Sequence, residues 1–252
     1  MRSASVSCSS SFLHGKNNWK RRMGLAKELK TGTKKSHSAA ENTKFVSQFL
    51  KGVVSKDNYK TLISDFYFIY AALEEQFEIL KTQDNRIRAL DFPEVRRLES
   101  LKQDVRYYWG PNWRAIIAPS KACQQYVNRI REVGKDAPHL LVGHAYTRYM
   151  GDLSGGQILR GIAEKAMNLQ DGEGLKFYDF DKIEDGKEFK EKYRSALDEL
   201  PLDNDQVSAI ITEANYAFSL NMQVFDEISG GKRDGWKSLI KVLLGFIRRS
   251  KV

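Results

Sequence analysis

His144-Ala-Tyr-Thr-Arg-Tyr-Met-Gly-Asp-Leu-Ser-Gly-Gly-Gln157 carries three glycines within six residues, inside a pattern that is otherwise helical. Leu140, Leu141, Ala145 and Tyr149 lead into the glycines at helical spacing, and Leu153, Ile158, Ile162 and Met167 continue beyond them, with Pro138 as a first-turn residue. Gly in a helix interior costs roughly 1 kcal/mol against Ala, so Gly151, Gly155 and Gly156 forgo on the order of 3 kcal/mol unless something uses the missing side chains. The spacing predicts a helix that runs on through the glycines and bends there. Gly151, Ser154 and Gly155 share one face at i, i+3 and i+4, where the backbone could touch a flat ligand, and Asp152 stands beside that face. A kink or a close helix crossing would explain a single glycine pair. Three glycines together with Ser154, Asp152 and Arg148 favour a site.

Leu153-Ser-Gly-Gly-Gln157 is also the signature string of ABC-type ATPases. Such an enzyme needs a G-x-x-x-x-G-K-[ST] phosphate loop, whereas Gly15-Lys16, Gly186-Lys187 and Gly231-Lys232 are followed by Asn17, Glu188 and Arg233. That class is excluded.

Working outward, the 252 residues and 41% hydrophobic content suit one domain with a sizeable core. The net charge of +9 sits at the ends. Residues 1–22 hold Arg2, Lys16, Lys20, Arg21 and Arg22 and no acid, and 232–252 hold Lys232, Arg233, Lys237, Lys241, Arg248, Arg249 and Lys251 against Asp234. The body, 23–231, is near neutral, which excludes a general nucleic-acid binder. The Ser-rich, acid-free 1–22 segment suits an organelle transit peptide better than a secretory signal, with a disordered leader as the alternative. Cys8 lies in that segment and Cys123 in the body, so no disulfide framework arises within the domain and a reducing compartment fits. The basic amphipathic tail, 232–252, has only about a dozen apolar positions, short of the roughly 20 of a spanning helix. It could rest on an anionic surface or on the domain.

Between the ends, helical patterns alternate with short polar breaks, which predicts an all-α single domain. Helices are expected over 25–30, from there through Ala40, Phe45, Phe49, Val53 and Val54, over 59–80 with Asp57 or Asn58 as cap, and over 96–108, 120–133 (ended by Gly134) and 187–200. A final one runs from an Asp203 or Asn204 cap to Ile228.

Of His14, His37, His139 and His144, His37 has the most suggestive surroundings, because Glu41 follows at i+4 and could take the Nδ1 proton, leaving Nε2 to ligate. A solvent-exposed surface pair is the other reading. One His cannot hold a bare ion, but it can hold a heme iron, whose other four nitrogens come with the porphyrin. Carboxylate edges need cations, and Lys30, seven positions before His37, and the i, i+4 pair Lys190 and Arg194 are candidates. Phe218, Asn221, Met222 and Phe225 form an apolar stripe with one amide.

These residues resemble the heme oxygenases over about 24–228. The resemblance is carried by Lys34-Lys-Ser-His-Ser-Ala-Ala-Glu-Asn42, the glycine stretch and Phe189-Lys-Glu-Lys-Tyr-Arg194. It is strongest to the soluble cyanobacterial and algal-plastid branch, which lacks a C-terminal membrane anchor. The resemblance implies a helical bundle with heme, both substrate and cofactor, between a proximal helix bearing the axial ligand His37 and a kinked, Gly-rich distal helix. Glu41 would support His37. Lys30, Lys190, Arg194 and Tyr146 would hold the propionates, Ser154 would face the macrocycle, and Phe218, Phe225 and Asn221 would line the pocket. Gly151, Gly155 and Asp152 would be catalytic, with Arg148 and Thr147 in the supporting network. The implied reaction is cleavage at the α-meso carbon to biliverdin IXα, carbon monoxide and ferrous iron. Reduced ferredoxin would be the electron donor and a bilin-forming biliverdin reductase a downstream partner, in the plastid stroma if the leader is a transit peptide and otherwise in the cytoplasm. Departures are small: Met150 stands where Leu is common, and Lys30 where some relatives use Arg. A heme carrier that does not degrade its ligand would keep His37 and the cations but need neither Asp152 nor the glycines. A di-iron carboxylate bundle would need paired Glu-x-x-His motifs, which are lacking.

Overall fold

Among the residues described by the computed structural model, 23–230, there are eleven α-helices and no strand. The readings on the 1–22 leader and the 232–252 tail lie outside the described residues. The helices are α1 (Leu25–Gly32), α2 (Lys34–Glu41), α3 (Lys44–Leu50), α4 (Lys56–Leu80), α5 (Asn85–Ala89), α6 (Leu98–Trp109), α7 (Lys121–Asp136), α8 (Leu141–Ala145), α9 (Gly151–Met167), α10 (Gly186–Asp198) and α11 (Asn204–Ile228). A π turn, Tyr146–Met150, joins α8 to α9, so the chain stays helical from Leu141 to Met167.

α4 forms the centre. Its Ile63, Ile69, Leu73 and Phe77 are fully buried, with α6 and α7 packed along its length. Each such side chain contributes roughly 1.5–3 kcal/mol on leaving water. α11 lies across α7 and α8 and also carries α1, α2 and α3, so it touches both the N-terminal helices and the glycine-bearing segment.

Several boundaries differ from the expectations, each for a local reason. Ser55, not Asp57 or Asn58, caps α4 by accepting the Asn58 N–H at 3.4 Å, and Asp57 instead adds negative charge to the first turn. α7 runs past Gly134, where a Cβ would collide with Gln76 on α4, and stops before Pro138. The expected second helix is broken at Asn42–Thr43, where Thr43 caps α3, and Val53 lies beyond its end with most of its surface in water. α6 begins at Leu98 because the Glu74 carboxylate accepts the Arg97 and Leu98 N–H groups at 2.6 and 3.2 Å. Of the two expected caps of the last helix, Asp203 and not Asn204 takes the role, with Gln206 completing a capping box.

Three of these helices are locked by a buried charge cluster. Arg129 of α7 donates from Nε and Nη2 to the two oxygens of Glu213 on α11, at 2.9 and 2.7 Å. His144 of α8, fully buried, meets the same carboxylate through Nε2 at 2.9 Å. Burial alone would raise the Glu213 carboxyl, but the bonds from Arg129 and His144 outweigh it and hold it at about 2, below its ordinary 4.5. A depressed carboxyl contributes stability that is present above its unfolded value and lost as pH falls through the folded one. Glu213→Gln should therefore cost on the order of 3 kcal/mol at neutral pH. Acid melts should show it: wild-type Tm falls between pH 4.5 and 2, and the variant loses most of that slope.

Candidate functional site

α1 and α2 act as one nearly continuous helix. The Thr33 N–H reaches the Leu29 carbonyl and the His37 N–H the Thr33 carbonyl, both at 2.9 Å, so Lys30 and His37 fall on one side. His37 Nδ1 stands 3.6 Å from Glu41 Oε2, an ion-pair distance rather than a hydrogen bond, and both side chains are 56% exposed. The His37 ring meets Phe218 of α11 edge-on at 5.8 Å between centroids. One turn further along α11, Asn221 receives Arg148 from the π turn. The helix of His37 and the helix of the glycines therefore approach the same part of α11.

The glycines divide by what lies opposite them. A Cβ on Gly151 or Gly155 would meet nothing within 4 Å, and Ser154 between them is exposed. On Gly156 a Cβ would stand 3.3 Å from Tyr178 Cδ1. The close helix crossing is elsewhere, at Gly143, where a Cβ would come within 2.9 Å of both the Ala214 nitrogen and the Ile210 oxygen of α11. The irregular turn also falls earlier than expected: the helix widens at Tyr146–Met150 and is regular through Gly151–Gly156. Neither packing nor bending thus uses the bare face at Gly151 and Gly155. Ile158, one turn on, is 65% exposed on that same face.

Beside this face the Asp152 carboxyl is buried in a polar network. The Tyr70 hydroxyl donates to Asp152 Oδ2, and Arg148 Nη2 lies 3.6 Å from Oδ1. Arg148 Nε donates to the Tyr70 oxygen at 3.0 Å and Nη1 to Asn221 Oδ1 at 2.5 Å, while the Asn221 amide donates to the Ala217 carbonyl at 2.9 Å. The guanidinium is sandwiched by Phe66, 4.2 Å from the ring centre. Burial pushes the Asp152 carboxyl above the usual range, against the opposing pull of Arg148, Tyr70 and Arg97. Burial likewise keeps Tyr70 protonated, so its hydroxyl must be the donor to Asp152. The Thr147 hydroxyl is spent on the Gly143 carbonyl, 2.9 Å away, and stands 3.5 Å from that of Ala214, tying this helix to α11.

At the other end, Tyr146 is half-buried, and its phenol is raised by burial and lowered in part by Thr33 and Arg194. Arg194 pairs with Glu191, whereas Lys30 and Lys190 form no ion pair among the described residues. Phe225 stacks on Phe45 of α3 at 5.6 Å, so it belongs partly to the core. Sequence reasoning missed Tyr70 and Tyr126, the latter a neighbour of Asn221, because both sit in apolar helical stripes indistinguishable from core.

The arrangement fits a flat ligand with an anionic edge. Two bare backbone positions face open space, one histidine nitrogen remains for an axial bond, Arg194 acts on Tyr146, and Lys190 lies one turn before Arg194 on α10. Among the described residues no three His, Cys, Asp or Glu side chains could hold a bare metal ion, so an iron at His37 needs donors that arrive with the ligand.

Comparison with known proteins agrees. The heme oxygenase family model matches residues 23–227. A heme oxygenase of Porphyra purpurea is 53% identical over 220 residues, covering 87% of this chain and 89% of that protein. Heme oxygenase 1 of Synechocystis sp. is 52% identical over 209 residues, 82% of this chain and 86% of its own. The crystal structure of Synechocystis heme oxygenase-1 in complex with heme matches with a TM-score of 0.80 at 47% identity, over 91% of this chain and 100% of that one.

The glycines separate fold from site in a direct test. Gly151→Ala and Gly155→Ala should each stabilise the free protein by about 0.5–1 kcal/mol, as helix propensity dictates where a methyl group meets nothing. Both should weaken hemin binding about tenfold or more in a Soret titration. Gly143→Ala should do the reverse in thermal melts, destabilising by about 1–3 kcal/mol through backbone collision.

Proposed function

The chain belongs to the heme oxygenase family, and from that premise we propose that it opens heme at the α-meso carbon to biliverdin IXα, carbon monoxide and ferrous iron, with electrons from reduced ferredoxin. The observation that carries this reading is the buried Asp152 carboxyl, held by Tyr70 and Arg148 beside the bare backbone of Gly151 and Gly155. A carrier that only stored heme would gain nothing from a desolvated acid at a cost of several kcal/mol.

His37 would ligate the iron through Nε2, and Lys30, Lys190, Arg194 and Tyr146 would meet the propionates. Heme is substrate and prosthetic group at once: it supplies the carbon bridge that is cut and the iron at which dioxygen is reduced. The protein's part is steric and protonic. Gly151 and Gly155 present no side chain, so the space over the ligand stays narrow and no strong acid points into it. Asp152 holds a proton more readily than an exposed carboxyl, because burial disfavours its anion. From Asp152 the proton passes through water, and the Tyr70 hydroxyl, itself receiving from Arg148, fixes which carboxyl oxygen faces the ligand.

Reduced ferredoxin as donor is supported by the basic residues expected around the ligand's polar edge, which suit an acidic carrier. The acid-free 1–22 leader supports a plastid stroma address, and a biliverdin reductase would follow in bilin synthesis. No helix among the described residues is long and apolar enough to cross a membrane.

Hemin added in equal amount should give a sharp Soret band that decays to biliverdin and ferrous iron when reduced ferredoxin is supplied in air with catalase present. A band that survives turnover conditions with a competent electron source would establish the carrier reading instead. Asp152→Ala should bind hemin within about threefold of wild type yet form at most a few per cent of the biliverdin, since positioned proton transfer is worth about 100-fold or more. Full product yield from that variant would remove Asp152 from the reaction.

A further inference from the structure

Two further buried charges, Arg97 just before α6 and Asp104 within it, lie beyond the hydrogen bonds around Asp152, although Arg97 adds its positive charge to that site. Arg97 is 4% exposed and Asp104 fully buried, and neither forms an ion pair among the described residues. Both instead grip the backbone of one turn. Asp104 accepts the Lys176 N–H at Oδ1, 2.8 Å, and the Phe177 N–H at Oδ2, 2.7 Å, the first two donors of the 3-10 turn Lys176–Tyr178. Arg97 Nη1 donates to the Asp179 carbonyl and, at 3.4 Å, to that of Phe177. This turn lies in the irregular 168–185 connection, whose Asn168, Asp171, Gly172 and Gly174 all have positive φ and whose own backbone bonds are short-range, so its placement against the helices falls to side chains.

The turn touches the catalytic network on two sides. The Phe177 ring packs against Tyr70 at 5.6 Å and Phe66 at 5.3 Å, and these rings also flank the Arg148 guanidinium. Tyr178 stands under Gly156, its carbonyl accepts the Gln157 amide at 2.7 Å, and Asp179 meets Arg160 at 3.2 Å, so α9 rests on the last residue of the turn and the one after it. Tyr70 and α9 carry the donor and the acceptor of the Tyr70 to Asp152 bond.

We propose that Asp104 is a positioning residue for the oxygenation reaction: by fixing the Lys176–Tyr178 turn it sets Tyr70 and the glycine turn of α9 relative to each other, and through them the placement of the Asp152 carboxyl beside the open face. The proposal rests on the heme oxygenase reading of that face. Only a carboxylate can accept both N–H groups; an amide of the same shape turns a donor towards one of them. Burial pushes the Asp104 carboxyl up to about 7 while the two N–H bonds pull it down.

The test uses full-length Asp104→Asn and, because a buried charge change can prevent folding, Phe177→Leu, which keeps an apolar side chain but removes the ring from Tyr70. Soret titration should give hemin affinities within about threefold of wild type, since His37 lies on the opposite wall. Two further readings would not respond to a loss of folded protein alone. The biliverdin formed per electron consumed should fall about threefold or more, the rest appearing as hydrogen peroxide. The pH of the acid-to-alkaline transition of the ferric heme complex should move by about half a unit or more, because it senses the charge and hydrogen bonding of the distal face. Wild-type electron yield and an unmoved transition in the folded variants would overturn the proposal. The transition is recorded without turnover, so it reports on Asp152 even if the wild-type chain were to release no biliverdin, a result that would instead overturn the proposed function.

Discussion

Taking the Asp152 carboxyl out of water costs several kcal/mol unless hydrogen bonds and positive charge meet it, and most of the packing around the site can be understood from how that demand is met. α4 brings the Tyr70 hydroxyl, the π turn brings the Arg148 guanidinium, and α11 brings Asn221 to hold that guanidinium in place. Three elements distant in sequence must therefore converge within hydrogen-bond reach. The compensation is incomplete, and the carboxyl remains harder to ionise than an exposed one. In the reaction proposed above, that residual penalty would suit it to supply a proton rather than to stand as a fixed anion.

The helix that carries Asp152 has to satisfy two opposed requirements: close contact with the body of the protein and an empty face towards the ligand. Different glycines serve each. Gly143 lets α8 press onto the α11 backbone, and Gly156 admits Tyr178 from below, whereas a Cβ added to Gly151 or Gly155 would meet nothing within 4 Å. The wider turn at Tyr146–Met150 lies between the two regimes, where Arg148 is buried and Gly151 is exposed. A π turn changes the direction of successive side chains without ending the helix.

Buried charge also frames the site from further away. Arg129, Glu213 and His144 clamp α7, α8 and α11 together, and Glu74 caps α6 from within the core. Arg97 and Asp104 hold a turn by its carbonyls and N–H groups rather than by each other. Such bonds are directional, unlike apolar packing, and so they define register where hydrophobic contact alone would let helices slide.

Local chemistry made much of this readable. The helical class, a cap at Asp203 or Asn204 and the i, i+4 relation of His37 to Glu41 all depend on spacing within a few residues, which a single chain displays directly. The three costly glycines marked the site for the same reason, since their penalty is intrinsic to the helix. What each glycine faces was not readable, because that depends on α11 and the 176–179 turn. Nor was it readable that Tyr70 meets Asp152 while Tyr59, in the same aromatic stripe, lies in the core, because a phenol in an apolar stripe reveals nothing of its partner. The sequence by itself determined the helices, the candidate ligand His37 and the candidate acid Asp152. Only the tertiary structure decided which buried groups meet that acid, because hydrogen bonds between residues about 70 to 80 positions apart are set by helix packing and leave no trace in local periodicity.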